Sequence, residues 1–132
     1  MPKAFQLNLK LQNGPGTLAR LCRDLADRGV NLLGLTAPET TARKGPIRLL
    51  VANLELAEKK VSDAGYEFNV EEVLFVEIKN RPGAIAKTME KLARAKIDIR
   101  YTYATAYTKA RRTAAVIAVA EKDMARAFRL IG

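Results

Sequence analysis

Apolar and polar residues alternate near the start of the chain. In the stretch AFQLNLKL, Phe5, Leu7, Leu9 and Leu11 occupy every second position, with polar residues between them. A strand that buries one face has this period of two. The pattern therefore predicts a first strand that ends before the sequence NGPG.

The spacing of apolar residues then changes to that of a helix. Leu18, Leu21, Cys22 and Leu25 recur at i, i+3, i+4 and i+7, and Gly29 follows where a helix C-cap glycine belongs. We therefore predict a helix over residues 17–28 and assign Cys22 to the core. Similar patterns predict helices over 54–64, 84–95 and from 122, and strands at VNLLGLTA, IRLLVAN, LFVEIK, IDIRYTYATA and TAAVIAVA.

A motif of turn residues occurs twice. Asn13, Pro15 and Gly16 recur 67 positions later as Asn80, Pro82 and Gly83, each time between a predicted strand and a predicted helix. The apolar positions of the flanking strands correspond at the same shift. The chain is therefore predicted to be α+β, with two ferredoxin-like βαββαβ units and antiparallel sheets. We expect residues 1–71 to form the first unit and 72–132 the second, and we expect the second to lack its last strand because the counterpart of Tyr66 would be position 133.

The repeated loop has two interpretations. The first N–H groups of a helix lack partners inside the helix and attract anions, so a ligand carboxylate would fit there. An asparagine amide both donates and accepts hydrogen bonds, which suits a ligand carrying a carboxylate and an ammonium group. The other interpretation is a tight turn that only begins a helix. These residues alone leave both open.

The order of strand, Asn-x-Pro-Gly, helix, Gly-Val-Asn-Leu or an equivalent, and second strand resembles the ACT domain, a regulatory module that binds amino acids. The stretches LQNGPGTLARLCRDLADRGVNLLGLTA and IKNRPGAIAKTMEKLARAKIDIRYTYATA carry the resemblance, which is greatest to stand-alone tandem ACT proteins. It implies that a small amino acid binds at the loop between strand one and helix one. The ligand-binding residues that it implies are Asn13, Gly14, Pro15, Gly16, Thr17, Leu18, Asn31, Asn80, Arg81, Pro82, Gly83, Ala84, Ile85 and Asp98.

Composition narrows the chemistry. The chain has no histidine and one cysteine, so we expect no metal site, no cofactor and no enzymatic activity. A formal net charge of +9 leaves a basic nucleic-acid-binding module of the same topology as the alternative function. The strands IRLLVAN and TAAVIAVA lack the aromatic signature of an RNA recognition motif, so nucleic acid is the less favoured partner.

Tyr101 and Tyr103 are expected on the same strand face as Ile97 and Ile99.

Apolar residues predicted on the sheet faces away from the helices indicate assembly. We expect Leu33, Leu35 and Leu50 on that face in the first unit, and Ala115, Ile117 and Val119 in the second. Exposed together they would form a large apolar patch, so we expect a homodimer built through sheet edges or faces.

The sequence has neither an N-terminal apolar leader nor a membrane-length apolar run, and we expect a cytoplasmic regulatory protein that acts on a metabolic enzyme or regulator.

Overall fold

A computed structural model describes residues 3–12, 14–39 and 43–131. The strands are β1 (Lys3–Gln12), β2 (Leu32–Thr36), β3 (Lys44–Val51), β4 (Asn69–Lys79), β5 (Ile99–Thr105) and β6 (Arg112–Val119). The helices are α1 (Thr17–Asp27), α2 (Leu54–Asp63), α3 (Ala84–Arg94) and α4 (Met124–Ile131), the last preceded by a single 3-10 turn. The α+β prediction with antiparallel strands is confirmed. The chain forms two compact units, Phe5–Glu71 and Glu72–Gly132 with Met1–Ala4.

In the first unit, β3 lies between β1 and β2 and is antiparallel to both. Helix α1 connects the parallel strands β1 and β2, as a βαβ crossover requires. The alternating leucines of β1 and the apolar stripe of α1 meet in one core. Its buried members are Leu7, Leu9, Leu21, Leu25, Val30, Ile47, Leu49, Val51, Ala57 and Val61.

The second unit repeats this order, with β6 between β4 and β5 and antiparallel to both. Its core contains Leu74, Val76, Ile78, Leu92, Ile97, Ala115, Ile117, Val119, Met124 and Ala127. Among the described residues no strand follows α4, and the β1 residues Lys3 and Ala4 belong to this unit. The described part of the unit is therefore ferredoxin-like as far as α4.

The helices are short and begin in different ways. Asn53 caps α2, since its side-chain oxygen accepts a hydrogen bond from the Leu56 N–H at 3.1 Å. Helices α1 and α3 have 11 residues each and begin instead at glycines without a side-chain cap. None of the described helices is both long and apolar enough to cross a lipid bilayer.

The structure corrects the predicted face of two tyrosines. Ile99 lies opposite Val119, a core residue, whereas Tyr101 lies opposite Ala118 because the pairing of β5 with β6 shifts between Ile99 and Tyr101. Directly opposed residues of an antiparallel pair point to the same face. Tyr101 and Tyr103 therefore lie on the face away from the helices, and the prediction that they share the face of Ile99 was wrong. A one-residue irregularity is enough to reverse the face.

The apolar residues assigned to the outer faces are also mostly misplaced. Ala115, Ile117 and Val119 belong to the core beneath the helices. Leu35 lies opposite the core residue Leu49, after a shift in the pairing of β2 with β3. The expected outer-face patch is therefore not present, and an argument for assembly cannot rest on a shared apolar face of the sheet.

We predict that the contact between Tyr66, near the end of the first unit, and α1 stabilises the fold. Its hydroxyl donates a 2.6 Å hydrogen bond to Asp24 Oδ2, and its ring packs against the core. Replacing it, Tyr66→Phe, should lower the free energy of unfolding at neutral pH by about 1–2 kcal/mol, measured by urea denaturation. Tyr107→Phe is the control, because Tyr107 is 77% exposed and should leave stability unchanged.

The same pair predicts a pH dependence. Burial, and then the hydrogen bond to Asp24, raise the pKa of Tyr66 above its usual value. The folded state thus holds the phenolic proton more tightly than the unfolded state, and this stabilisation is complete below about pH 10. It is lost as the pH rises through the folded-state pKa. The stability difference between wild type and Tyr66→Phe should therefore shrink above about pH 10, and a constant difference would contradict the role given to the proton.

Candidate functional site

The loop between the first strand and first helix of each unit is a tight turn set by a glycine. Gly16 and Gly83 precede α1 and α3 with φ angles of 81° and 87°, a left-handed conformation that favours glycine. In the first unit the Thr17 N–H donates to the Gly14 carbonyl at 3.3 Å, and the second unit repeats this bond at the same distance. A Cβ built at either cap glycine meets no atom within 4 Å. The positive φ therefore accounts for the glycine, since steric crowding does not.

A cavity of about 240 Å³ lies beside this turn in the first unit. It opens between the β1–α1 loop and the residues that connect β2 to β3. Its lining residues are Leu11, Gln12, Gly14, Thr17, Leu18, Ala37, Pro38, Glu39, Gly45, Pro46 and Ile47. Glu39 is the one charged residue in that set, and its side chain is exposed.

The second unit has a cavity of about 280 Å³ in the equivalent place. Its lining residues are Lys79, Asn80, Arg81, Ile85, Ala104, Thr105, Ala106 and Thr113. Apart from Asn80, whose counterpart Asn13 lies outside the described residues, each lies 67 positions after a lining residue of the first cavity. The repeat in the sequence has therefore produced the same concavity twice.

The structure brings part of the predicted site together. Gly14, Thr17 and Leu18 line the first cavity, and Asn80, Arg81 and Ile85 line the second. The remaining loop residues form the turns and helix starts without lining either cavity; they are Pro15, Gly16, Pro82, Gly83 and Ala84.

Asn31 and Asp98 do not reach the cavity of their own unit. Asn31 immediately precedes β2, whose first residue pairs with Val51, while Leu11 at the cavity pairs with Gly45 at the other end of β3. Since β1 and β2 are parallel, the start of β2 lies at the opposite end of the sheet from the β1–α1 loop. Asp98 holds the equivalent place before β5, and neither residue lines a cavity.

Asn80 has a structural role in the second unit. Its side-chain Nδ2 donates to the carbonyls of Ala110 at 2.8 Å and Tyr107 at 3.3 Å, and its backbone N–H donates to the Arg111 carbonyl at 2.9 Å. These bonds fasten the β4–α3 loop to the turn between β5 and β6. The amide nitrogen that sequence reasoning offered to a ligand is thus already engaged.

Sequence reasoning missed the contribution of the turn between the second and third strands of each unit. Ala37, Pro38 and Glu39 line the first cavity although they lie more than 20 residues after the loop. The signal that could have found them is the crossover itself, because parallel β1 and β2 end at the same edge of the sheet.

Comparison with known proteins identifies the family. The model of the ACT domain pair matches residues 3–128. The chain belongs to this family. A search of curated proteins returned no match.

Solved structures share the fold of this ACT domain pair. A protein from Bacteroides thetaiotaomicron aligns over 97% of this chain and 85% of its own, with 28% identity and a TM-score of 0.85. The regulatory subunit of aspartate kinase from Thermus flavus aligns over 98% and 90%, with 16% identity and a TM-score of 0.64. Aspartate kinase from Synechocystis aligns over 98% of this chain and 24% of its own, with 21% identity and a TM-score of 0.63.

The sheet of the second ACT unit is not arranged as an RNA platform. Phe75 and Tyr103 both lie opposite Val116, on the face away from the helices, and both are half-buried. Val116 and Ala118 on the same face are only 2% and 1% exposed. Recognition of RNA bases by a sheet depends on stacking against accessible aromatic side chains. This face therefore does not favour the nucleic-acid alternative.

The two glycines of the first loop should respond differently to substitution. Gly16→Ala forces a left-handed conformation on alanine and should lower the free energy of unfolding by about 1–2 kcal/mol. Gly14→Ala should change it by less than about 0.5 kcal/mol, because the new Cβ meets only Thr17 Oγ1 at an ordinary 3.6 Å. Urea denaturation of both variants measures their free energies of unfolding. Equal destabilisation would contradict the conclusion that the positive φ at position 16 requires glycine.

Proposed function

We propose that this ACT domain pair, with its domains divided between residues 71 and 72, is a regulatory protein that binds a small amino acid in the first cavity. The observation that carries the proposal is the recurrence of one cavity at equivalent positions of both units, each beside the start of a helix. The chain order of each unit explains the concavity itself. What supports a ligand site is that the start of a helix, whose first N–H groups have no partner inside the helix, lies beside it in both units.

The first cavity has complementary groups for both ends of an amino acid. By helix geometry, the N–H groups of Leu18 and Ala19 have no partner inside α1, and a carboxylate suits them. Glu39 supplies a carboxylate for the ligand's ammonium group. Apolar walls formed by Leu11 and Ile47 complete a site whose volume, about 240 Å³, is below the ~300 Å³ lower bound for drug-sized ligands.

The family and its neighbours support a regulatory role. The Thermus flavus neighbour is itself a regulatory subunit, of aspartate kinase. We propose that the protein is cytoplasmic, has no enzymatic activity of its own and acts on a metabolic enzyme or regulator. The chain has no histidine, and the part that the structure describes contains no cluster of acidic or cysteine side chains suited to a metal ion.

A ligand screen followed by one substitution tests the amino-acid site. Thermal denaturation in the presence of each common amino acid should reveal a stabilising ligand, which contributes roughly 2.7 kcal/mol at 100 times its dissociation constant. Glu39→Gln should then weaken binding of that ligand at least tenfold by calorimetry, because it removes the partner of the ammonium group. Glu67→Gln, an exposed carboxylate outside the cavity, is the matched control and should bind normally. Stabilisation by no amino acid, or unchanged affinity in Glu39→Gln, would refute the site.

We further propose that occupancy is signalled through a homodimer interface on β2. This strand lies at the edge of the first unit's sheet and exposes Leu33 by 57% and Leu35 by 37%. Apolar residues on an edge strand favour pairing with another chain. Because β2 leads directly to Glu39, a ligand held there can bias the position of this strand.

Light scattering over a dilution series tests the assembly. The wild type should behave as a dimer at micromolar concentration, and Leu33→Lys should shift it to monomer. Leu130→Lys is the control, since Leu130 is 40% exposed on α4 and lies outside the proposed interface. A well-folded wild-type monomer would refute both the dimer and this route of signalling.

A further inference from the structure

The two cavities differ in charge at positions that correspond in the repeat. Lys79 and Arg81 line the second cavity where Gln12 and Gly14 line the first. Both cations are exposed. Neither makes an ion pair with another residue in the described part of the chain. The second cavity therefore contains two cationic groups that the first lacks.

The acidic group of the first cavity has no counterpart in the second. Glu39 corresponds to Ala106 at the 67-residue shift. The charged residues lining the first cavity thus carry −1 and those lining the second +2. An ammonium group that pairs with Glu39 in the first cavity would meet only positive charge in the second.

Two of the three neutral polar side chains of the second cavity, those of Asn80 and Thr113, are already engaged. The Asn80 amide donates to the carbonyls of Tyr107 and Ala110. The hydroxyl of Thr113 donates to the Thr105 carbonyl. Side-chain donors available to a ligand are therefore chiefly the charged groups of the cavity.

The ion pair on the neighbouring strands leaves the charge of Lys79 unneutralised. Lys79 lies directly opposite Arg112 in the pairing of β4 with β6, and like charges so placed repel each other. Glu77, on the same strand, binds the Arg112 guanidinium at 2.9 Å. The Glu77 carboxylate thus compensates Arg112 and does not pair with Lys79.

We propose that the second cavity binds a small anion with two negative charges, a dicarboxylate or a phosphate, in preference to a neutral amino acid. The inference rests on the proposed function only in taking these loops to be ligand sites. Two cations attract a dianion about twice as strongly as a monoanion at the same distance, whereas a zwitterion gains from its carboxylate and loses from its ammonium group. The two ACT units would then report on different classes of metabolite.

Nuclear magnetic resonance of the full ¹⁵N-labelled chain locates the binding. Succinate and inorganic phosphate, each titrated to millimolar concentration against a chloride control of equal ionic strength, should shift the backbone amides of Arg81, Ile85 and Thr105 with saturation. L-Alanine should not. Saturation by succinate, by phosphate or by both supports the dianion site and shows whether it accepts a dicarboxylate, a phosphate or either one. Failure of both, or an equal response to L-alanine, would overturn it.

Charge removal provides the second measurement. The double variant Lys79→Gln, Arg81→Gly gives the second cavity the residues of the first at these two positions and should weaken dianion binding at least tenfold. Lys60→Gln, Lys122→Gln removes the same charge from exposed or half-buried helix positions outside the cavity and should reduce it less than twofold. Equal losses in the two variants would show that net charge alone attracts the anion, and the site assignment would be wrong.

The amides of Gly14, Leu18 and Glu39 separate this inference from the proposed function. If an amino acid shifts these amides and no dianion shifts those of the second cavity, the proposed function stands and the further inference fails. If dianions saturate the second cavity while no amino acid affects the first, the reverse holds.

Discussion

The geometry of both units depends on one constraint, the crossover through a helix that joins the first and second strands of each unit. The crossover makes these two strands parallel, and the third strand lies between them in the sheet. In the first unit this places the ends of β1 and β2 at one edge of the sheet, with β3 antiparallel between them. The β1–α1 loop and the residues after β2 must then face each other across that edge. A concave site at this edge follows from chain order, before any side chain is chosen. The glycine at the start of α1 completes it, because a positive φ turns the chain from strand into helix within four residues.

The sequence predicted this arrangement where periodicity was clear. The alternation of Leu7, Leu9 and Leu11 and the stripe of Leu21 and Leu25 both proved to face the first core. Prediction failed where the pattern of apolar residues did not show which face of the sheet a side chain occupies. Strand β6 is apolar on both faces, so the residues Ala115 to Val119 could be assigned to either one. In β2 and β5, a shift of pairing reverses the faces midway. Gly34 is a signal of the shift in β2, because an isolated glycine in a strand often marks a bulge, whereas β5 has no such residue at its shift.

The candidate site was half predictable for a similar reason. A loop with Asn, Pro and Gly is visible as a local motif, and three residues of each loop do line a cavity. The opposite wall comes from the turn after the second strand, which has no motif and contributes through strand order. Likewise, the sequence does not indicate that Asn80 bonds to the β5–β6 turn, since its partners are backbone carbonyls about 30 residues away.

The separation between core and cavity explains how two copies of one fold can acquire different chemistry. Core positions at the 67-residue shift remain apolar, as with Leu9 and Val76, because any polar replacement would be buried. The cavity positions that differ, Gln12 and Gly14 against Lys79 and Arg81, are exposed and contribute little to packing. Charge can therefore change there at small cost to stability. In the second unit the amide of Asn80 already holds the loop against the β5–β6 turn, so a ligand would meet a loop whose position is fixed beforehand. Selectivity at such a site depends on the charges at its rim, because the backbone that carries them is the same in both units.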